Sequence, residues 1–98
     1  MVLYHSFLKL KSSVTLEQLI PYLGLEVRRE GRNFRGRCPF CKSGGNRAFV
    51  LNTERNLWYC HGKCRIGGDQ ITLVSRINRC SLEDAADQMF RDFHLGPE

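Results

Sequence analysis

Two closely spaced pairs of cysteines constrain this chain more than any other feature of its sequence. Two residues separate Cys38 from Cys41, three separate Cys60 from Cys64, and eighteen lie between the pairs. Such spacing is typical of a zinc ribbon, because a short turn lets both thiolates of a pair face one tetrahedral ion. The sequence therefore predicts a single structural zinc ion held by Cys38, Cys41, Cys60 and Cys64.

Three alternatives to this interpretation stay open at the level of sequence. A redox pair at Cys38 and Cys41 would need no second pair of cysteines. A catalytic zinc would keep one coordination position open for water, which four protein ligands do not leave. His61 is a less favoured substitute for Cys60 or Cys64, since imidazole also binds zinc. The presence of two matched pairs favours the structural site.

The length of 98 residues predicts a single domain that buries only about 65% of its unfolded surface. Zinc would add folding free energy that so small a core lacks, roughly 10 to 16 kcal/mol in zinc-finger peptides. No run of about 18 uncharged apolar residues and no secretory signal is present, so we expect a cytoplasmic protein with reduced thiols and no membrane partner. We expect an N-terminal extension (1–14), a zinc-ribbon module (15–80) and a C-terminal helix (81–98).

Periodicity and capping residues predict the secondary structure. A helix is expected at 16–23, with Thr15 and Gln18 as a capping box and Gly24 at its end. Residues 1–13 fit either a strand or a short helix. Alternating patterns predict two hairpins, the first with Gly31 in its turn, and the strands are expected at 25–29, 33–37, 48–51 and 57–60.

Two more helices are expected after the strands, one capped by Asp69 and one by Ser81. Gly67 and Gly68 are interpreted as a hinge that leads into the first of them. The order of elements predicts an α+β fold, a small zinc ribbon with an antiparallel β-sheet flanked by short α-helices.

Positive charge is concentrated around the first cysteine pair. Seven basic residues stand against one acidic residue between positions 28 and 47. A sheet that presents arginines with a few aromatic rings suits single-stranded nucleic acid, because guanidinium groups bind phosphates and rings stack on bases. The candidate nucleic-acid-binding residues are Arg28, Arg29, Arg32, Asn33, Phe34, Arg35, Arg37, Lys42, Arg47 and Trp58.

Two other interpretations compete with nucleic-acid binding. If the domain needs its aromatics inside, the core residues would be Phe34, Phe49 and Trp58, and the arginines would only add solubility. The segment after Ser81 carries five acidic residues against one arginine, and its apolar positions between 82 and 93 would suit a protein-interaction adaptor.

The motifs together resemble a known family. The run from Gly31 to Cys41, the segment 57–60, and Cys64 followed by Gly67-Gly68-Asp69 resemble the zinc-binding domain of DnaG-type bacterial and phage primases, over residues 15–77. The resemblance implies a zinc ribbon that recognises single-stranded DNA template during primer initiation in DNA replication. It places on or beside the template-facing sheet Arg32, Asn33, Phe34, Arg35 and Arg37.

This sequence departs from the family pattern in two places. The family commonly has histidine where Cys41 stands, and two residues within the last cysteine pair where this chain has three. The resemblance also implies that primer synthesis belongs to a separate metal-dependent polymerase domain and that another region binds the helicase. We therefore expect no catalytic residues here, and as partners single-stranded DNA, a separate primase polymerase subunit and a replicative helicase.

Overall fold

The computed structural model of the chain describes residues 4–95, with side chains from residue 7 onward. Its helices are α1 (Tyr4–Ser13), α2 (Leu16–Leu23), α3 (Gln70–Asn78) and α4 (Leu82–Asp92). Its strands are β1 (Val27–Glu30), β2 (Asn33–Gly36), β3 (Phe49–Asn52), β4 (Leu57–Cys60) and β5 (Gly67–Gly68), and a 3-10 turn spans Gly45–Arg47. These elements confirm the predicted α+β class.

The first two helices lie against the core of the zinc-ribbon module. Helix α1 occupies the segment that periodicity left undecided. Leu10 in this helix and Val14 just after it are almost completely buried. Helix α2 is capped as predicted, since the Gln18 N–H donates to Thr15 Oγ1 at 3.2 Å and the Thr15 N–H donates to Gln18 Oε1 at 2.8 Å. It ends at Gly24, whose φ of +66° is the left-handed conformation that glycine adopts without strain.

The five strands form one antiparallel sheet in the order β1-β2-β3-β4-β5. The two predicted hairpins are therefore joined, through pairing of β2 with β3. The prediction of a hinge at Gly67 and Gly68 is wrong, because both residues pair with β4 as strand β5. A Cβ atom on Gly67 would lie 2.5 Å from the carbonyl oxygen of Trp58, so only glycine allows this close approach.

The two faces of the sheet have different surroundings. One face carries the buried residues Phe49, Leu51, Trp58 and Cys60, and α3 packs against this side of β4. The strand registers and the two-residue alternation place the following side chains together on the other face, which we call the open face: Arg28, Glu30, Asn33, Arg35, Val50, Asn52, Leu57 and Tyr59.

The last two helices complete the core. The Asp69 carboxylate accepts from the Thr72 N–H at 2.9 Å at the start of α3, and Ser81 Oγ accepts from the Asp84 N–H at 3.0 Å at the start of α4. Gln70 is buried and donates to two carbonyl oxygens at the end of α1, which ties α1 to α3. Over residues 4–95, none of the helices has the length and apolar character needed to span a membrane.

Candidate zinc centre and nucleic-acid surface

Two loops bring the four cysteines of the two pairs together. Cys38 and Cys41 follow β2, Cys60 ends β4, and Cys64 lies on the connection to β5. The four Sγ atoms all lie within 4.8 Å of one another. Cys38 contacts Cys64, and Cys41 contacts Cys60, each at an Sγ–Sγ distance of 3.6 Å. Thiolates bound tetrahedrally to zinc at about 2.3 Å lie about 3.8 Å apart, so the cluster fits one zinc ion.

Backbone amides surround the sulfur atoms as donors. The Phe40 N–H donates to Cys38 Sγ at 3.4 Å, and the Gly62 N–H donates to Cys60 Sγ at 3.2 Å. Cys38 and Cys60 are fully buried. Donors directed at buried sulfurs stabilise thiolates, the form that binds metal.

The cysteines of the cluster differ in the pKa of their thiols. A hydrogen bond from Ser43 lowers the pKa of Cys41 to about 5. Burial, by contrast, raises the pKa of Cys64 to about 12 and also raises the pKa of Cys38. Several thiolates this close together need a cation to compensate their charge, and a divalent metal supplies it. The site therefore has the chemistry of a structural zinc centre with four protein ligands.

Other potential ligands lie outside the cluster. The His61 side chain is exposed, and its ring packs edge-on against Tyr59 with the centroids 4.8 Å apart. The fifth cysteine, Cys80, is half-buried beside Gln88. Within the described part of the chain, the four cysteines form the only group of three or more potential ligands.

Four of the predicted nucleic-acid-binding residues meet on or beside the open face. Arg28, Asn33 and Arg35 belong to its first two strands. Arg47 reaches it from the 3-10 turn, where its carbonyl oxygen accepts from Arg35 Nη1 at 3.2 Å. Glu30 pairs with both Arg28, at 3.5 Å, and Arg47. A depression of about 260 Å³ is lined by Arg28 and Arg35.

Three other predicted residues lie away from this face. Arg29 and Phe34 are on the helix side of the sheet, where the Arg29 guanidinium lies 4.9 Å from the centre of the Phe34 ring and pairs with Glu17 at 3.1 Å. Arg32 lies in the turn between β1 and β2 and pairs with Glu54 at 3.5 Å.

The remaining two predicted cations, Arg37 and Lys42, are exposed beside the first cysteine pair. Both line a small cavity together with Cys38 and Ile77.

Trp58 lies in the core instead of on a binding surface. It is 2% exposed, its Nε1–H donates to the Asp69 carbonyl oxygen at 2.8 Å, and its ring packs against Phe40 and Phe49. A ring buried in this way has no free face for a base, so we correct the prediction for Trp58 and leave it out of the proposed surface. The competing prediction that Trp58 is a core residue describes its position.

Sequence reasoning missed the aromatic residue that the open face does present. Tyr59 is 37% exposed, next to Leu57 at 46%. The alternation of side chains in a strand predicts this position. A residue one position before Cys60 must face away from the zinc site, whereas Trp58, two positions before Cys60, faces the same side as Cys60. Gly67 leaves this face of β5 bare, since a Cβ there would meet Tyr59 Cδ1 at 2.8 Å.

A family model described as the CHC2 zinc finger, the zinc ribbon of DnaG, matches residues 3–97. The chain belongs to this family of primase zinc-binding domains. A DNA primase of Lactococcus lactis is 33% identical over 81 residues, which are 82% of this chain and 12% of that protein. The chain thus spans about an eighth of the length of this curated relative.

A solved structure gives the same result for the fold of this primase-type zinc ribbon. The crystal structure of the Aquifex aeolicus primase, comprising its zinc-binding and RNA polymerase domains, superposes with a TM-score of 0.84. The match covers 95% of this chain and 22% of that one at 22% sequence identity. At this identity the likeness concerns the fold, and it confirms that the fold is that of a zinc ribbon.

Proposed function

We propose that this domain binds single-stranded DNA template on its open face and assists primer initiation, either in trans or as part of a larger primase. One observation carries the proposal. Arg28, Arg35, Val50, Tyr59 and Gly67 are direct cross-strand partners and form a single row over all five strands. The row begins with two guanidinium groups, and its last side chain before Gly67 is an exposed aromatic ring, so it offers phosphate contacts on one side and a stacking surface on the other.

The arrangement favours single strands over duplex. Stacking on a protein ring requires a base whose face is free, and bases in a duplex already stack on their neighbours. Neighbouring strands are about 4.8 Å apart, so Arg35 and Tyr59 are separated by about 10 Å across the sheet. A single strand of DNA that crosses β2, β3 and β4 would place its phosphates near the arginines and its bases over Val50 and Tyr59.

We assign no catalytic step to the domain itself. Its matched region corresponds to 12% of the Lactococcus DNA primase, and we propose that synthesis belongs to a separate polymerase domain or subunit. That polymerase and a replicative helicase are the protein partners we propose, alongside the DNA.

The adaptor hypothesis has less support in the structure. It needs the apolar side of α4 to be free, but Met89 is fully buried, and Phe90 and Phe93 pack against the same core. Leu82, which is 49% exposed, is the large apolar residue of α4 that remains open. The open face is therefore the better candidate for a ligand.

Fluorescence anisotropy tests the proposal directly. The zinc-loaded protein is titrated with single-stranded and duplex oligonucleotides over a series of salt concentrations. We expect saturable binding that prefers single strands, and an Arg28→Ala/Arg35→Ala variant whose affinity falls and whose salt slope flattens by about 0.7 for each phosphate that is no longer bound.

The matched control is Arg76→Ala/Arg91→Ala, which removes the same charge from α3 and α4. It should retain most of the affinity, because these arginines lie on helices away from the open face. If both double variants weaken binding equally, net charge and not the open face determines the affinity. If the folded, metallated wild-type protein binds no single strand at low salt, the proposal fails.

A further inference from the structure

The zinc cluster depends on the relative position of two loops, a first loop (37–44) that follows β2 and a second loop (60–66) that begins at the last residue of β4. Two Sγ–Sγ contacts of 3.6 Å each join a cysteine of the first loop to a cysteine of the second, Cys38 to Cys64 and Cys41 to Cys60. A slip of either loop would therefore open both contacts at once. The ligands alone do not explain what fixes the loops, because a three-residue spacing in the second pair leaves its turn wider than a two-residue one.

One side chain of the first loop connects to both the second loop and a ligand. The backbone N–H of Lys63, inside the second cysteine pair, donates to Ser43 Oγ at 2.7 Å. The same Ser43 Oγ lies 3.3 Å from Cys41 Sγ. A hydroxyl can accept one hydrogen bond while donating another, and a thiolate can only accept. The geometry thus gives a continuous chain from the Lys63 N–H through the Ser43 hydroxyl to the Cys41 sulfur.

The backbones of the two loops also touch at this point. A Cβ atom on Gly62 would lie 2.6 Å from Ser43 Oγ and 2.7 Å from the Ser43 carbonyl oxygen. A Cβ on Gly44, whose φ is +81°, would lie 2.7 Å from Ala48 Cβ and 3.3 Å from Gly62 Cα. Because no side chain fits between the loops, the Ser43 hydroxyl is held against the second loop.

We propose that Ser43 is a positioning residue of the zinc site, which locks the second cysteine loop onto the first and holds the Cys41 thiolate in place for the metal. The residue contacts a ligand and does not itself coordinate the ion. Hydrogen bonds to metal ligands typically change metal affinity 10- to 100-fold. The main effect of Ser43 is to slow the loss of zinc. This role is independent of whether the open face binds DNA.

Zinc release from the full chain tests the role of Ser43. The zinc-loaded protein is mixed with excess 4-(2-pyridylazo)resorcinol, and the rate of metal transfer is followed by absorbance. Ser43→Ala should lose zinc about 10-fold faster than the wild type. Ser43→Thr keeps the hydroxyl and should restore most of the difference. Ser12→Ala should match the wild type, because the Ser12 hydroxyl donates to the Lys9 carbonyl oxygen within α1.

A spectroscopic signature separates positioning from simple packing. With cobalt(II) in place of zinc, the thiolate-to-metal charge-transfer band should shift in Ser43→Ala and return in Ser43→Thr. If the release rate of Ser43→Ala stays within about twofold of the wild type, or if Ser43→Thr loses metal as fast as Ser43→Ala with no change in the band, the proposal is overturned.

A measurement on the wild type needs no variant. The Lys63 amide of the zinc-loaded protein should exchange its hydrogen slowly, because it is bonded to Ser43. Exchange at the rate of an unstructured peptide would overturn the proposed link between the loops.

Discussion

Trp58 and Tyr59 are neighbours in strand β4, but their side chains lie on opposite faces of the sheet and in different environments. Trp58 faces the core, is 2% exposed and donates a hydrogen bond to the Asp69 carbonyl oxygen. Tyr59 faces outward, is 37% exposed and contacts only the His61 ring among aromatic groups of the described chain. Both rings are large and each has a polar group, so residue type alone does not distinguish them.

The metal centre decides which ring is buried. Cys60 must face inward to meet Cys41, and the two-residue period of a strand then directs Trp58 inward and Tyr59 outward. The zinc ligand at the end of β4 therefore determines which side of the sheet each residue of this strand faces. In a small zinc ribbon of this kind, the ligands therefore determine which face of the sheet stays exposed, and the metal that they hold adds stability.

Removing the metal should have the largest effect, because it should abolish the difference between the faces. We expect chelation to unfold the domain, since zinc contributes roughly 10 to 16 kcal/mol in zinc-finger peptides. Far-ultraviolet circular dichroism and Trp58 fluorescence, recorded before and after EDTA and after zinc is restored, measure the change. Cys60→Ser should behave like the chelated protein and Cys80→Ser like the wild type. A chelated protein that keeps the buried Trp58 signal would contradict this account.

Truncating the inward ring should have the next largest effect. Trp58→Ala should destabilise the zinc-loaded domain by about 3 to 5 kcal/mol, since it leaves a cavity between Phe40 and Phe49. Urea denaturation measures the loss. Tyr59→Ala, its neighbour, should cost less than about 1 kcal/mol because its ring is partly exposed. Equal losses at the two positions would contradict the burial of Trp58 and the exposure of Tyr59.

Local signals explain which parts of the fold were predictable. The capping box of Thr15 and Gln18, the left-handed Gly24 and the alternation in β1 to β4 are encoded within a few residues of each feature. The four cysteines were also predictable, because the ligand spacing within each pair is set by local geometry.

Features that depend on distant contacts were not predictable. Helix α1 is stabilised by burial of Leu10 against the core, and Gly67 belongs to a strand because of its pairing with β4. The link from Ser43 to Lys63 spans 20 residues. The outward position of Tyr59, by contrast, could be predicted from the sequence, because Cys60 must face inward and side chains alternate in direction along β4.

Truncating the outward ring should affect binding more than stability. Tyr59→Ala should weaken single-strand binding by about 5- to 150-fold, because stacking on one base contributes about 1 to 3 kcal/mol. Tyr59→Phe should bind like the wild type, since the ring and not the hydroxyl supplies the stacking surface. Anisotropy titrations at one fixed salt concentration measure both variants. Binding of Tyr59→Ala that equals the wild type would place the bases elsewhere.

The smallest effect is expected at the acidic residue of the open face. Glu30 pairs with Arg28 and Arg47, so its carboxylate offsets part of the positive charge that a phosphate would meet. Exposed ion pairs contribute about 0.2 to 1 kcal/mol, and Glu30→Gln should therefore change the free energy of unfolding by less than about 1 kcal/mol.

The affinity of Glu30→Gln for single-stranded DNA should instead rise a few-fold, with a salt slope steeper by about 0.7 for each additional phosphate that the arginines bind. Glu54→Gln is the matched control, because it removes the same charge from the turn between β3 and β4, where Glu54 pairs with Arg32. A rise in affinity in Glu54→Gln as large as that in Glu30→Gln would show that overall charge, and not the arginines of the open face, attracts the strand.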